Sequence, residues 1–174
     1  MTLTKSYQML KQAYLGNSYG DLYIRIYAKY SEQDENNLTS TVQYQARAYF
    51  SGNYIYDAGS NGTVSGTGAT SSNYSKSSRY EKGETVLGTI TGTVHHNAET
   101  GEASITASAS LNFVNWGWSN TATGSADLPP IETSTLRLGV NGSWVKATPY
   151  IAINGQWVKC KAYLGSNGEW KKGV

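Results

Sequence analysis

Apolar and polar residues alternate strictly over Asp21 to Tyr30, DLYIRIYAKY, with Leu22, Ile24, Ile26 and Ala28 on one side and Tyr23, Arg25, Tyr27 and Lys29 on the other. A period of two is that of a strand with one buried face. After the polar turn SEQDENN the rhythm returns in LTSTVQYQARAYF, where Val42, Tyr44, Ala46, Ala48 and Phe50 oppose Gln43, Gln45, Arg47 and Tyr49. These segments are expected to pair as an antiparallel hairpin. A second pair is predicted further on. TVLGTITGTVHH puts Val86, Ile90 and Val94 on one face, and EASITASASLNF does the same for Ala103, Ile105, Ala107, Ala109, Leu111 and Phe113, with HNAETG as turn chemistry between them.

The opening SYQMLKQAYLGNS fits either a short helix, through Tyr7, Leu10 and Tyr14, or an edge strand, and the strand is preferred. Between the two pairs, NYIYDAGSNGTVSGTGATSSNYSKSSRYEKGE mixes short strand-like pieces with Gly, Ser and Asn, which predicts edge strands and a long surface loop. Roughly six to eight short strands without a sustained helical period predict an all-β fold, an antiparallel β-sandwich of immunoglobulin-like type, with a jelly roll as the nearest alternative. Pro129-Pro130 cannot sit in a ladder, so the boundary is placed there: a sandwich over 1–130 and a second region over 131–174.

That second region repeats. Asn-Gly-x-Trp begins at Asn141, Asn154 and Asn167, thirteen residues apart each time. Asn-Gly is the strongest short-range signal for a type I′ hairpin turn, because both residues tolerate positive φ, so three small β-hairpins are expected. Trp144, Trp157 and Trp170 are equivalent positions, as are Tyr150 and Tyr163. The preferred reading makes these aromatics packing residues of stacked hairpins, each buried indole contributing about 2 to 3 kcal/mol. The competing reading makes them a ligand-binding platform for sugar rings, with Lys146, Lys159, Lys161, Lys171 and Lys172 facing anionic wall polymers.

Charge sharpens the division. The net charge is +2, but from Thr135 onward six basic residues face one acid, whereas the preceding part carries eight basic and eleven acidic. A basic, aromatic tail invites a nucleic-acid reading, yet no recognised module is present and nucleic-acid binding is not expected. No run of about 18 to 20 apolar residues exists to span a bilayer, and the first residues lack an apolar h-region, so a soluble protein made in a cytosol, with no membrane partner, is expected. Cys160 is the single cysteine, which excludes an intrachain disulfide and a Cys-based metal cage and suits a half-buried strand position. His95 and His96 are adjacent, point to opposite faces of a strand end and cannot cooperate. With no phosphate loop, zinc helix, calcium loop or nucleophile elbow, neither an enzyme nor a cofactor or metal is expected.

TGTVHHNAETGEASITASASLNF, followed by TATGSADLPPI, resembles the immunoglobulin-like domains of minor tail structural proteins of siphophages that infect Gram-positive bacteria. Those domains similarly carry a His-Asn turn with an acidic residue and Gly, a Ser/Thr/Ala-rich strand, a Gly-rich strand and a closing Leu-Pro-x-Ile. Here the turn runs through Glu99-Thr100-Gly101 where the family usually has Asp-Gly directly. NGSWVKATPY, NGQWVKCKAY and NGEWKKGV are similar to the short Trp repeats that terminate many phage tail proteins. Choline-binding repeats share the Asn-Gly-x-Trp core, but those units are longer and place paired aromatics after the Trp, where this chain has Val or Lys.

The resemblance implies a non-enzymatic virion component associated with tail, fibre or baseplate, assembled in the bacterial host cytoplasm and contributing to host attachment. Other virion tail proteins would be its partners, a homo-oligomer is expected with a trimer favoured, and a host cell-wall glycan is a further partner. A glycan or teichoic-acid binding module and a purely structural spacer are the alternatives.

Overall fold

The computed structural model describes residues 1–98, 100–133, 137–147, 149–160, 163–166 and 169–172. The chain divides into two compact units, Met1–Ile131 and Glu132–Val174, within one residue of the expected boundary.

The first unit has six strands: β1 (Gln8–Asn17), β2 (Asp21–Asp34), β3 (Thr39–Gly66), β4 (Ser72–His95), β5 (Ser104–Phe113) and β6 (Trp118–Asp127). A single turn of 3-10 helix, Val114–Trp116, is the helical piece among the described residues. The all-β antiparallel expectation therefore holds, as does the preference for a strand at the opening segment. All six strands belong to one sheet, in the order β1-β2-β3-β5-β6, with β4 on the other edge of β3. The immunoglobulin-like expectation is finer than this: it calls for two separate sheets, whereas here one sheet is rolled over.

The roll is made by the β3–β4 hairpin. One edge of β3 pairs with β2 over Thr39 to Phe50 and then with β5 over Asn61 to Gly66, while its other edge follows β4 from end to end. The ladder breaks register between Phe50 and Tyr54 and again between Asp57 and Ser60, so extra residues accumulate on β3 and the hairpin bends. Its tip then lies over its own base. The Tyr44 hydroxyl donates to the Thr67 carbonyl at 2.8 Å, and the Thr93 N–H donates to the Gly68 carbonyl at 3.1 Å. Gly92 makes the approach feasible, because a Cβ there would stand 2.6 Å from the Gly68 backbone. The segment expected to be a surface loop is thus continuous strand. Its two arms pair with each other, and Ile55, Val64 and Tyr80 point into the core.

Inside the roll the predicted rows meet. Leu22, Ile24, Ile26, Val42, Tyr44, Phe50, Ile105, Leu111 and Phe113 are fully buried, each apolar side chain contributing about 1.5 to 3 kcal/mol against exposure. The free edges β1 and β6 close the roll: Leu3 N–H donates to the Asp127 carbonyl at 2.8 Å, and Asn120 Nδ2 to the Tyr14 carbonyl at 2.7 Å.

Two expectations need correction. β5 does not form a hairpin with β4; it crosses to the other layer and pairs with β6 and β3. Val86 does not share a face with Ile90 and Val94. Gly88 pairs with Ala46 but Val86 pairs with Arg47, so Leu87 is an extra residue that flips the alternation and leaves Val86 54% exposed.

The second unit consists of three two-stranded sheets: β7 (Arg137–Val140) with β8 (Ser143–Lys146), β9 (Tyr150–Ile153) with β10 (Gln156–Lys159), and β11 (Tyr163–Ser166) with β12 (Glu169–Lys172). Asn141 and Gly142 have φ of 50° and 77°, Asn154 and Gly155 50° and 78°, the positive pair that a type I′ turn requires. The turn at Asn167-Gly168 lies outside the described residues. Cys160 is half-buried as expected, but one residue past β10 rather than on a strand, and its N–H donates to the Pro149 carbonyl at 2.9 Å.

Candidate functional site

The hairpin register places the repeat residues at equivalent points. Trp144 on β8 pairs with Gly139, Trp157 on β10 with Ala152, and Trp170 on β12 with Gly165. Tyr150 pairs with Lys159, Tyr163 with Lys172, and Lys146 with Arg137. The side chains of Trp144, Lys146, Lys159, Lys161, Tyr163, Trp170, Lys171 and Lys172 lie outside the described residues. Those of Trp157 and Tyr150 are described, and they are 75% and 55% exposed. Ile151, Ile153 and Val158 of the same hairpin are exposed as well. Among the described residues, then, the indole of Trp157 is largely open to solvent.

The outward face of β2 and β3 carries a second, unanticipated constellation. Alternation fixes Arg25 directly opposite Arg47, a like-charge pair that is destabilising unless an anion intervenes. Glu84 of β4 is that anion. Its Oε1 accepts from Arg25 at 2.8 Å and from the Tyr27 hydroxyl, and its Oε2 accepts from Arg47 at 2.7 Å. The guanidinium groups lie over aromatic rings, Arg25 at 3.8 Å from the centre of Tyr49 and Arg47 at 4.2 Å from that of Tyr27. Partial burial pushes the Glu84 carboxyl up, but hydrogen bonds from Tyr27, Arg47 and Arg25 outweigh it and hold the group below the usual glutamate range. Tyr27 moves the other way, raised by burial and then by its bond to Glu84. Three donors from two strands thus converge on one carboxylate, which ties β2 and β3 to β4 across the outward face. The signal was present in the sequence as two outward arginines on paired strands, but their counter-ion sat in a stretch read as loop.

A third feature lies where the hairpin bends. The β1–β2 turn, the bend of β3 and the short 3-10 turn come together there, and Tyr19, Tyr54, Tyr56 and Trp116 are all exposed. The Asp21 N–H donates to Ser51 Oγ at 2.8 Å, and the Tyr19 carbonyl stands against Gly52, where no side chain has room. Trp116 Nε1 donates to the Tyr56 carbonyl at 3.3 Å. None of these aromatics belongs to the repeats, and nothing in the alternation distinguishes them from packing residues.

At the opposite end the two histidines part as expected: His95 is exposed, His96 buried. The His96 Nδ1–H donates to the Gly101 carbonyl at 2.7 Å, and Nε2 lies 2.7 Å from the buried Ser40 hydroxyl. Both ring nitrogens are engaged, so the imidazole ties the β4–β5 connection to the start of β3. Among the described residues no three His, Cys, Asp or Glu side chains converge as metal ligands, and no helix is long and apolar enough to cross a membrane.

Comparison of this chain with family models, with curated proteins and with solved structures finds no match in any of the three.

Proposed function

We propose that this chain is a non-enzymatic structural protein of a bacteriophage virion, associated with tail, fibre or baseplate, that contributes to attachment to the host surface. The observation that carries the reading is the exposure of Trp157, 75%, beside Tyr150 on a hairpin whose turn is fixed by Asn154-Gly155. An indole held out on a stiff two-stranded support has given up its burial energy within the chain, and contact with a partner recovers it. Two partners suit a repeat of this kind. A second and third copy of the chain would cover the apolar residues of the hairpin, which favours a trimer. A wall glycan would stack on the ring, with the basic residues of the same region drawing it to teichoic-acid phosphates.

Retention on purified Gram-positive cell walls, compared between wild type and Trp157→Ala, tests the attachment role. Loss of retention by roughly tenfold or more in a folded variant is the expected result. Unchanged retention excludes the central repeat as the contact. Antibody labelling of purified particles in electron micrographs tests the virion reading separately: decoration of the tail supports it, and unlabelled particles rule it out. The glycan-module alternative gains from the same exposed indole and predicts wall retention without particle labelling.

A further inference from the structure

Tyr19 has φ of 62°, the left-handed region that a bulky aromatic side chain rarely adopts. Its ring makes no use of that conformation for packing, since the residue is 85% exposed. Asn, Asp or Gly at this turn position would relieve the backbone at no loss of buried area. A strained backbone that delivers an aromatic ring to solvent is a feature whose cause must be sought outside the fold.

The surroundings supply one. Tyr19, Asn53 and Tyr54 line a concavity of about 470 Å³ at the bend of the β3–β4 hairpin. Its floor is rigid, because the Tyr19 backbone is wedged on Gly52 and the neighbouring Asp21 N–H is held by Ser51. Tyr54 meets Tyr56 edge-on at 5.7 Å, so the second wall is oriented too. Arg79 lies 5.4 Å from the centre of the Tyr54 ring, and its charge is matched by an ion pair to Glu81.

We infer that this concavity is a binding site for a neutral saccharide, with Tyr19 and Tyr54 as its aromatic walls and Asn53 as its hydrogen-bonding group. Pyranose rings present an apolar C–H face that packs on an aromatic ring and hydroxyls around the rim that both donate and accept. An Asn amide offers one acceptor and two donors within a single side chain, which matches adjacent hydroxyls. The walls are tyrosines, whose apolar ring faces end in hydroxyls that can bond to sugar hydroxyls. Glu81 matches the charge of Arg79, so the site provides no net cationic attraction for a phosphate. Its volume falls within the range of small-ligand sites. The site lies in the first unit and does not depend on the repeats or on the virion reading.

The test is titration of the full chain with neutral glucose-, galactose- and N-acetylhexosamine-containing oligosaccharides, followed by chemical-shift changes in the tyrosine rings. Saturable binding with dissociation constants between about 10 μM and 1 mM is expected. Tyr19→Asn is the informative variant, because Asn tolerates the left-handed backbone but carries no ring. It is expected to lose binding by tenfold or more while its unfolding midpoint stays level or rises. Absence of saturable binding by the wild type up to about 10 mM, or binding by Tyr19→Asn within twofold of wild type, overturns the site. So does a fall in the unfolding midpoint, which would make Tyr19 a structural residue. Stronger binding of a glycerol phosphate polymer than of any neutral sugar overturns the choice of ligand. Trp157→Ala should bind as wild type does. If that variant alone loses the sugar, the contact belongs to the repeats, and this inference falls while the attachment reading stands.

Discussion

Leu22 and Ile151 are both aliphatic strand residues beside a tyrosine, yet Leu22 is fully buried and Ile151 is 51% exposed. The difference is what lies across from each. Leu22 belongs to a strand flanked on both edges and roofed by the other half of the same rolled sheet. Ile151 belongs to a hairpin of two four-residue strands with no second layer of its own. Alternation sorts side chains onto two faces, and burial follows only where a second apolar face is available to meet the first. The first unit owns both faces; the β9–β10 hairpin displays its apolar residues to solvent.

The largest effect that tests this contrast comes from removing one aromatic in each unit. Phe113 is fully buried, stacks on Trp118 and touches Tyr80. Phe113→Ala is expected to cost roughly 3 to 5 kcal/mol in denaturant unfolding of the first unit. Trp157→Ala removes a larger side chain but is expected to change stability by less than about 0.5 kcal/mol in a dilute monomer. A comparable loss for both would mean that Trp157 is covered in solution, and a loss that appears only at high protein concentration would identify a second copy as the cover.

An intermediate effect separates the two faces of the first unit. Glu84→Gln keeps the shape of the outward network and removes the charge that reconciles Arg25 with Arg47. The cost is expected to be about 1 kcal/mol, below that of a buried pair because solvent screens this surface. The pH dependence has a definite sign. Glu84 titrates lower in the folded protein than its ordinary value of 4.5. Its contribution is therefore complete above that value and is lost as pH falls through the lowered folded one. Wild type and Glu84→Gln should differ most near neutrality and converge in acid. Curves that stay parallel to pH 3 or so would show that the carboxylate is not linked to folding.

What was legible in the sequence follows the same physics. The inward rows of β2, β3 and β5 could be read because a period of two is a local property of the chain, and the type I′ turns because Asn-Gly is a local solution to positive φ. The bent hairpin could not be read. Its Gly- and Ser-rich strands lack a clear apolar alternation and look like loop until the two arms are seen to pair with each other and with β5. Glu84 was missed with it, since a counter-ion is recognised by what it faces. Tyr19 escaped for another reason: sequence shows an aromatic in a turn but not that its backbone is left-handed. Of the candidate site, the exposed Trp157 was legible as one of two alternatives, and the end of the roll bearing Tyr54 and Trp116 was not.

The smallest expected effect bears on the register itself. Val86 and Val94 lie on one strand at even spacing, and an unbroken ladder would bury both. The extra residue at Leu87 turns Val86 outward beside Arg47 while Val94 stays in the core. The same substitution then has two outcomes. Val94→Thr places a hydroxyl among apolar side chains and is expected to cost about 1 to 3 kcal/mol. Val86→Thr exchanges a methyl for a hydroxyl at a solvent-facing position on a strand, where threonine is well suited, and is expected to leave stability within about 0.5 kcal/mol. Equal losses in thermal unfolding would mean that the ladder runs without the bulge. Glu84, two residues before Val86, would then have to reach its two arginines from a different register, and the ordered outward face would lose its anion.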